Sequence, residues 1–264
     1  MDRILEQLTA HARERVAADQ AENSAAVLQQ LCAVGAAPVR EPFCFEKVLG
    51  KPGLSFICEV KKASPSKGII AETFPYLEIA EEYEKAGADC ISCLTEPKWF
   101  LGSDRIFTDI RACVGTPMLR KDFTVDEYQI YQAKLMGADA VLLICAVLDG
   151  KTIRRCLGIC DRLGLSAVVE AHDEAELKTA VQAGARIIGV NNRNLKDFSV
   201  DTGNSRKLRA LVPRNVLFVA ESGIRTAQDV EILRESGADA VLVGEALMRA
   251  PDKKAMLSGL RGEI

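Results

Sequence analysis

Membrane-length apolar runs are missing from this chain; none approaches the ~18 residues that a spanning helix needs. The start, Met1-Asp2-Arg3-Ile4-Leu5-Glu6-Gln7, lacks the apolar stretch of a secretion signal. Basic excess is missing as well. The net charge is -3 and the sequence pI is near 5.6, whereas a nucleic-acid binder carries a basic footprint. A cytoplasmic protein with neither nucleic acid nor membrane as partner is expected. Histidine occurs twice, at His11 and His172, too far apart in sequence to suggest a ligand pair. No second C-x-x-C accompanies Cys90-Ile91-Ser92-Cys93. That motif lies in an apolar, strand-like run, where positions three apart face opposite sides. The nine cysteines are therefore expected to be reduced, mostly buried thiols, and no metal site is expected.

What is present is a rhythm. Ala86-Gly87-Ala88-Asp89-Cys90, Met136-Gly137-Ala138-Asp139-Ala140, Ala183-Gly184-Ala185-Arg186-Ile187 and Ser236-Gly237-Ala238-Asp239-Ala240 repeat one punctuation. In each copy a glycine follows an amphipathic segment, where it accepts the left-handed conformation that ends a helix. An apolar run follows at once. Eight such runs are predicted strands: 55–61, 90–94, 118–121, 140–145, 167–170, 187–191, 217–221 and 240–244. Their starts lie about 20 to 35 residues apart, the length of a strand–helix unit. Apolar strands alternating with helices imply a parallel sheet, and eight units imply a closed (β/α)8 barrel. An open doubly wound sheet is the alternative, but it usually has fewer strands, and no Gly-x-Gly-x-x-Gly follows the first one. Residues 1–264 are expected to form one domain: an N-terminal helical extension over 1–45, then the barrel over 46–264. The extension is expected mainly to pack, with a lid or substrate contact as the other reading.

The strands carry a second pattern. Five of them, the first, third, fifth, sixth and seventh, stay apolar on the inward face until its end, which is polar. Side chains alternate along a strand, so Ile57, Glu59 and Lys61 share one face and Phe56, Cys58 and Val60 the other. The other polar endings are Lys121, Glu170, Asn191 and Glu221. In such barrels the chemistry sits where strands end and βα loops begin. Two Lys, three Glu and an Asn around one mouth pair their charges while shifting their pKa values. After the last two strands, Ser222-Gly223 and Gly244-Glu245 offer the backbone N–H groups with which barrels bind phosphate, and Arg193 adds a charged fork. The loop Ser64-Pro65-Ser66-Lys67-Gly68 suits a lid.

Taken together, these endings resemble the indole-3-glycerol phosphate synthase family. The motifs are Glu59-Val60-Lys61-Lys62-Ala63-Ser64-Pro65-Ser66, Leu119-Arg120-Lys121-Asp122-Phe123 and Val169-Glu170-Ala171-His172. They continue with Ile188-Gly189-Val190-Asn191-Asn192-Arg193-Asn194-Leu195, Ala220-Glu221-Ser222-Gly223-Ile224 and Val243-Gly244-Glu245-Ala246-Leu247-Met248. The resemblance covers essentially the whole chain. It implies conversion of 1-(2-carboxyphenylamino)-1-deoxyribulose 5-phosphate to indole-3-glycerol phosphate, with loss of carbon dioxide and water and no cofactor. By the same resemblance Lys121 is the general acid of ring closure and Glu170 the general base of dehydration. Lys61 binds near the substrate carboxylate or phosphate and can share the acid work. Glu59, Asn191 and Glu221 orient the lysines and the substrate hydroxyls. Ser64, Arg193, Ser222, Gly223, Gly244 and Glu245 contact substrate and phosphate, Glu245 by its backbone N–H. The anthranilate ring is expected against Phe123, with Trp99 and Phe100 behind it. Glu245 stands where many members have Ser, and Ala63 where some carry another Lys. No fused isomerase domain is expected, and a monomer or weak homo-oligomer is. Two alternatives stand beside this reading. One is a sister barrel of the phosphoribosylanthranilate isomerase kind, which wants Cys and Asp where Glu59–Lys61 and Asn191 stand. The other is a non-catalytic scaffold.

Overall fold

The computed structural model describes residues 3–194 and 198–263. Met1, Asp2, Ile264 and Leu195, the last residue of the motif around Asn191, lie outside the described residues. Eight short apolar runs pair in parallel: β1 (Ser55–Val60), β2 (Cys90–Leu94), β3 (Met118–Lys121), β4 (Ala140–Ile144), β5 (Ser166–Ala171), β6 (Ile187–Asn191), β7 (Leu217–Glu221) and β8 (Ala240–Val243). Each pairs with the next in sequence, and β8 pairs with β1, which closes a barrel. The predicted strands agree to within a residue at each end. Helices follow the strands: α4 (Tyr76–Lys85), α5 (Asp104–Cys113), α6 (Tyr128–Leu135), α7 (Gly150–Leu163), α8 (Glu174–Ala183), α9 (Gly203–Arg209) and α10 (Ala227–Glu235). The last strand is followed by α11 (Glu245–Arg249) and α12 (Lys253–Arg261). None of the described helices is long and apolar enough to cross a membrane.

The period of two along each strand sorts the core into two layers. Phe56, Cys58 and Val60 face the helices, in the same apolar layer as Ile91, Cys93 and Met118. Ile57 faces the barrel interior with Cys90, Leu119, Ala140, Val168 and Val219. Cys90 and Cys93 therefore lie on opposite sides of β2, and among the described residues all nine cysteines are free. Before the barrel come α1 (Arg3–Glu22), α2 (Ala25–Ala33) and α3 (Cys44–Leu49). Phe45 and Leu49 of α3 join the interior layer and are fully buried, so α3 plugs one end of the barrel. The other end is left for the polar strand ends.

The repeated punctuation does more than end helices. Its glycines do take the left-handed conformation, with φ between +81° and +93° in the four copies. Its aspartates also staple strands. Asp89 Oδ2 accepts from the N–H of Phe56 at 2.8 Å, Asp139 Oδ2 from Met118 at 2.8 Å, and Asp239 Oδ2 from Phe218 at 2.7 Å. In each case the carboxylate that precedes one strand holds the start of the strand before it. Asp139 carries most. It also accepts from Arg40 Nε at 2.8 Å and from Arg111 Nη1 at 3.0 Å, and so ties the N-terminal segment to α5 and β3. Removing one partner of a buried charge network costs more than the network contributes, because the others lose their counter-charge. Asp139→Ala is expected to lose about 3 kcal/mol or more of stability. Denaturant unfolding checks this, and a loss below about 1 kcal/mol is incompatible with a buried staple.

Candidate active site

Strand register brings the polar endings together. Glu170 lies beside Ile144, Asn191 beside Glu221, and Lys121 beside Leu94. All six predicted residues, Glu59, Lys61, Lys121, Glu170, Asn191 and Glu221, line one cavity at the mouth. Lys121 Nζ donates to Glu170 Oε2 at 2.9 Å and lies 3.1 Å from Glu221 Oε2. Lys61 pairs with Glu59 beside it. Asn191 uses both ends of its amide. Its Nδ2 donates to Glu170 Oε1 at 3.3 Å, and its Oδ1 accepts from the N–H of Arg193 at 3.0 Å.

The electrostatics follow from burying three charged groups around one ammonium. Burial alone pushes Lys121 toward losing its proton, but Glu170, Glu221 and Glu59 outweigh burial and lift it above the ordinary lysine range. Burial pushes Glu170 up, yet Lys121 and His172 hold its carboxyl well below the usual carboxylate range. Glu221 goes the other way. Burial, with repulsion from Glu170 and Glu59, lifts it to about 7 despite Lys121. One ammonium can neutralise one carboxylate fully, so the second is left ready to hold a proton. Two carboxyls driven apart in this way beside a lysine form an acid–base set.

Two glycines make room for these charges. A Cβ on Gly189 would collide with the Glu221 carboxylate. A Cβ on Gly244 would collide with Glu59 and stand 3.0 Å from Lys61 Nζ. Gly244 is thus required by the Glu59–Lys61 pair as well as suited to close approach by an anion. Sequence reasoning missed Gly189, which sits inside the quoted Ile188–Asn191 motif as an interruption of an apolar strand.

The residues expected at a phosphate end also come together. Ser222 and Gly223 both take left-handed φ, +69° and +86°, immediately after β7. They line the cavity with Ser64, Arg193, Gly244 and Glu245. Arg225, which the sequence reading did not single out, joins them. Burial lowers the Arg193 guanidinium from its ordinary range, and Arg225 nearby works in the same direction. Two facing cations favour an anion between them. The Glu245 carboxylate lies 3.3 Å from Arg249 and 3.8 Å from Lys67, so its charge is committed to cations at the rim. Lys67 belongs to the loop after β1, where Ala63–Ser64 and Gly68–Ile69 form a two-stranded ribbon.

At the apolar end there are two corrections. Phe123 and Phe100 line the cavity, their rings 6.2 Å apart. Trp99 does not line it and instead meets His11 edge-on at 5.6 Å. Glu96 accepts from the backbone N–H groups of both Trp99 and Phe100 and so holds the turn of the loop, from which Phe100 reaches inward. The N-terminal extension does more than pack. Ile4, Leu5 and Leu8 of α1 line the cavity, although Leu5 and Leu8 are buried as packing residues too. The clamp is Arg15, whose guanidinium forks onto Asp122 at 2.7 and 3.1 Å, next to Lys121.

A closed eight-stranded barrel with a buried lysine between two carboxylates defines a (β/α)8-barrel enzyme of acid–base type. The indole-3-glycerol phosphate synthase family model matches residues 5–260. The relative named indole-3-glycerol phosphate synthase from Ruminiclostridium cellulolyticum is 60% identical over 84% of this chain and 86% of its own. The one from Lacticaseibacillus paracasei is 49% identical over 98% of both. The chain belongs to the indole-3-glycerol phosphate synthase family. It is a decarboxylating lyase of tryptophan biosynthesis. Among solved structures, 3-hexulose-6-phosphate synthase from Salmonella typhimurium aligns over 79% of this chain and 97% of its own, with a TM-score of 0.62. At 16% identity that likeness speaks for the barrel alone. Family membership sets aside both the sister isomerase and the scaffold.

Proposed function

We propose that ring closure and dehydration are run by the Lys121–Glu170–Glu221 cluster on 1-(2-carboxyphenylamino)-1-deoxyribulose 5-phosphate. In this reading the phosphate lies at the Ser222–Gly223 and Gly244–Glu245 end and the anthranilate ring against Phe123 and Phe100. Lys121 gives its proton to the ketone oxygen as the aromatic carbon attacks, which lets that oxygen become a hydroxyl. Decarboxylation restores the electron pair to the ring. Glu170 then takes a ring proton while the Lys61 ammonium protonates the hydroxyl, which leaves as water, and solvent returns a proton to each lysine. Lys61, held by Glu59, sits where it meets the substrate carboxylate or phosphate. Asn191 and Glu221 hold Glu170 and Lys121 in register, and Ser64 approaches from the loop after β1. The observation that carries this reading is the 2.9 Å contact between Lys121 and Glu170 inside the cavity, from residues on β3 and β5.

The reading places the phosphate fork at Arg193 and keeps it away from the reacting carbons. A hydrogen bond to a charged group contributes ~1.5–3 kcal/mol, so Arg193→Ala is expected to raise KM roughly 10- to 100-fold. The value of kcat should stay within about threefold, as for lost uniform binding. Steady-state kinetics followed by indole fluorescence, without added metal or nucleotide, reads both numbers. A fall in kcat with KM unchanged removes Arg193 from the phosphate end.

A further inference from the structure

His172 stands just past the end of β5, behind Glu170 and outside the cavity lining. Its surroundings are built. Glu176, in the first turn of α8, accepts from the backbone N–H of His172 at 2.8 Å and faces its Nδ1 at 3.0 Å. Asn204 Nδ2 donates to the His172 carbonyl at 3.0 Å. On the other side of the ring, Nε2 is buried, has no hydrogen-bonded partner, and lies 3.3 Å from Glu170 Oε1. A carboxylate only accepts, so Nδ1 must carry hydrogen toward Glu176. In the neutral ring Nε2 would then turn its lone pair on the Glu170 carboxylate. Only the imidazolium presents N–H to both sides.

We infer that His172 is a positioning residue for the known reaction: held as the imidazolium by Glu176, it keeps Glu170 ionised and turned to the cavity. This rests on the proposed role of Glu170 as the base. The charged groups facing the ring are Glu170 on β5, Glu176 on α8 and Glu221 on β7, with Lys121 on β3 beyond Glu170. The Cys145 thiol at the end of β4 lies near the same carboxylates and is pushed up to about 12 by burial and by their charge. It therefore remains neutral and leaves the balance to the others. Asp173 is committed elsewhere, capping α8 through the N–H groups of Ala175 and Glu176. Burial disfavours the imidazolium, but the hydrogen bond to Glu176 and the charges of Glu170, Glu176 and Glu221 outweigh it, so His172 titrates above an ordinary histidine.

The test uses the intact enzyme. In His172→Gln the acid limb of the kcat–pH profile is expected to move up by roughly one pH unit or more, because losing a nearby cation raises a carboxyl by ~1–3 units. KM should stay within about twofold. Glu176→Gln should move the limb the same way, and the double variant no further than His172→Gln alone, since one chain of contacts carries both effects. The wild-type enzyme gives an independent reading even if His172→Gln fails to fold. With two histidines in the sequence, side-chain NMR assigned through His11→Gln follows His172 directly. Its titration should lie above the ~6.5 of an ordinary histidine, and fall in Glu176→Gln. Superimposable acid limbs, additive shifts, or a wild-type titration at or below the ordinary value each overturn the inference. If Glu170→Gln is meanwhile inactive, the role of Glu170 survives; if Glu170→Gln is active, that role fails by itself.

Discussion

Lys121→Ala is expected to lower kcat by ~10²-fold or more while a product analogue still binds, because a placed acid contributes ~10²–10⁴-fold. The reason lies in the cluster. Lys121 is both the proposed proton donor and the counter-charge for Glu170 and Glu221. Deleting it removes the proton and lets both buried carboxyls rise. A carboxyl with a folded pKa above its unfolded value favours the fold below the unfolded value and loses that contribution as pH climbs through the folded one. The variant should therefore lose thermal stability between pH 6 and pH 8 relative to the parent. Lys121→Arg separates the two functions. Its guanidinium keeps the charge but does not give up a proton near neutrality, so stability should return and turnover should not. Wild-type-like turnover from either variant would remove Lys121 from proton donation.

Glu170→Gln is the second large effect. The amide keeps the side-chain length and can still accept from Lys121, but it takes no proton. A loss of ~10²–10⁴-fold in kcat is expected. Its signature should be uneven across the reaction. Ring closure and decarboxylation precede the step that needs the base. In a single turnover, carbon dioxide should thus appear before and beyond indole fluorescence. Equal slowing of both would move Glu170 to an earlier step.

Much of the fold was legible because its signals are local. Strand alternation placed Glu59, Lys61, Lys121, Glu170, Asn191 and Glu221 on inward faces, and all six line the cavity. The expected boundary at residues 45 and 46 falls inside α3, because α3 belongs to the N-terminal segment by sequence and plugs the barrel by contact. Trp99 was misplaced for a related reason. Composition says that the loop after β2 carries aromatics, while packing decides which of them turns inward: Trp99 meets His11 of α1, and Phe100 reaches the cavity.

The sequence by itself determined the strand count, the inward polar set, and the glycines that stop the helices. These depend on spacings within one or two turns of chain. Only the tertiary structure decided that Lys121 meets Glu170 and Glu221, that Gly189 yields space to Glu221, and that α1 walls the cavity. It also decided that Asp139 gathers two arginines and that His172 stands between Glu176 and Glu170. Such meetings are fixed by barrel closure and strand stagger, which bring together groups far apart along the chain. Charge acts through space over a few ångströms, so pairing and proton affinity belong to the closed barrel and not to any one segment.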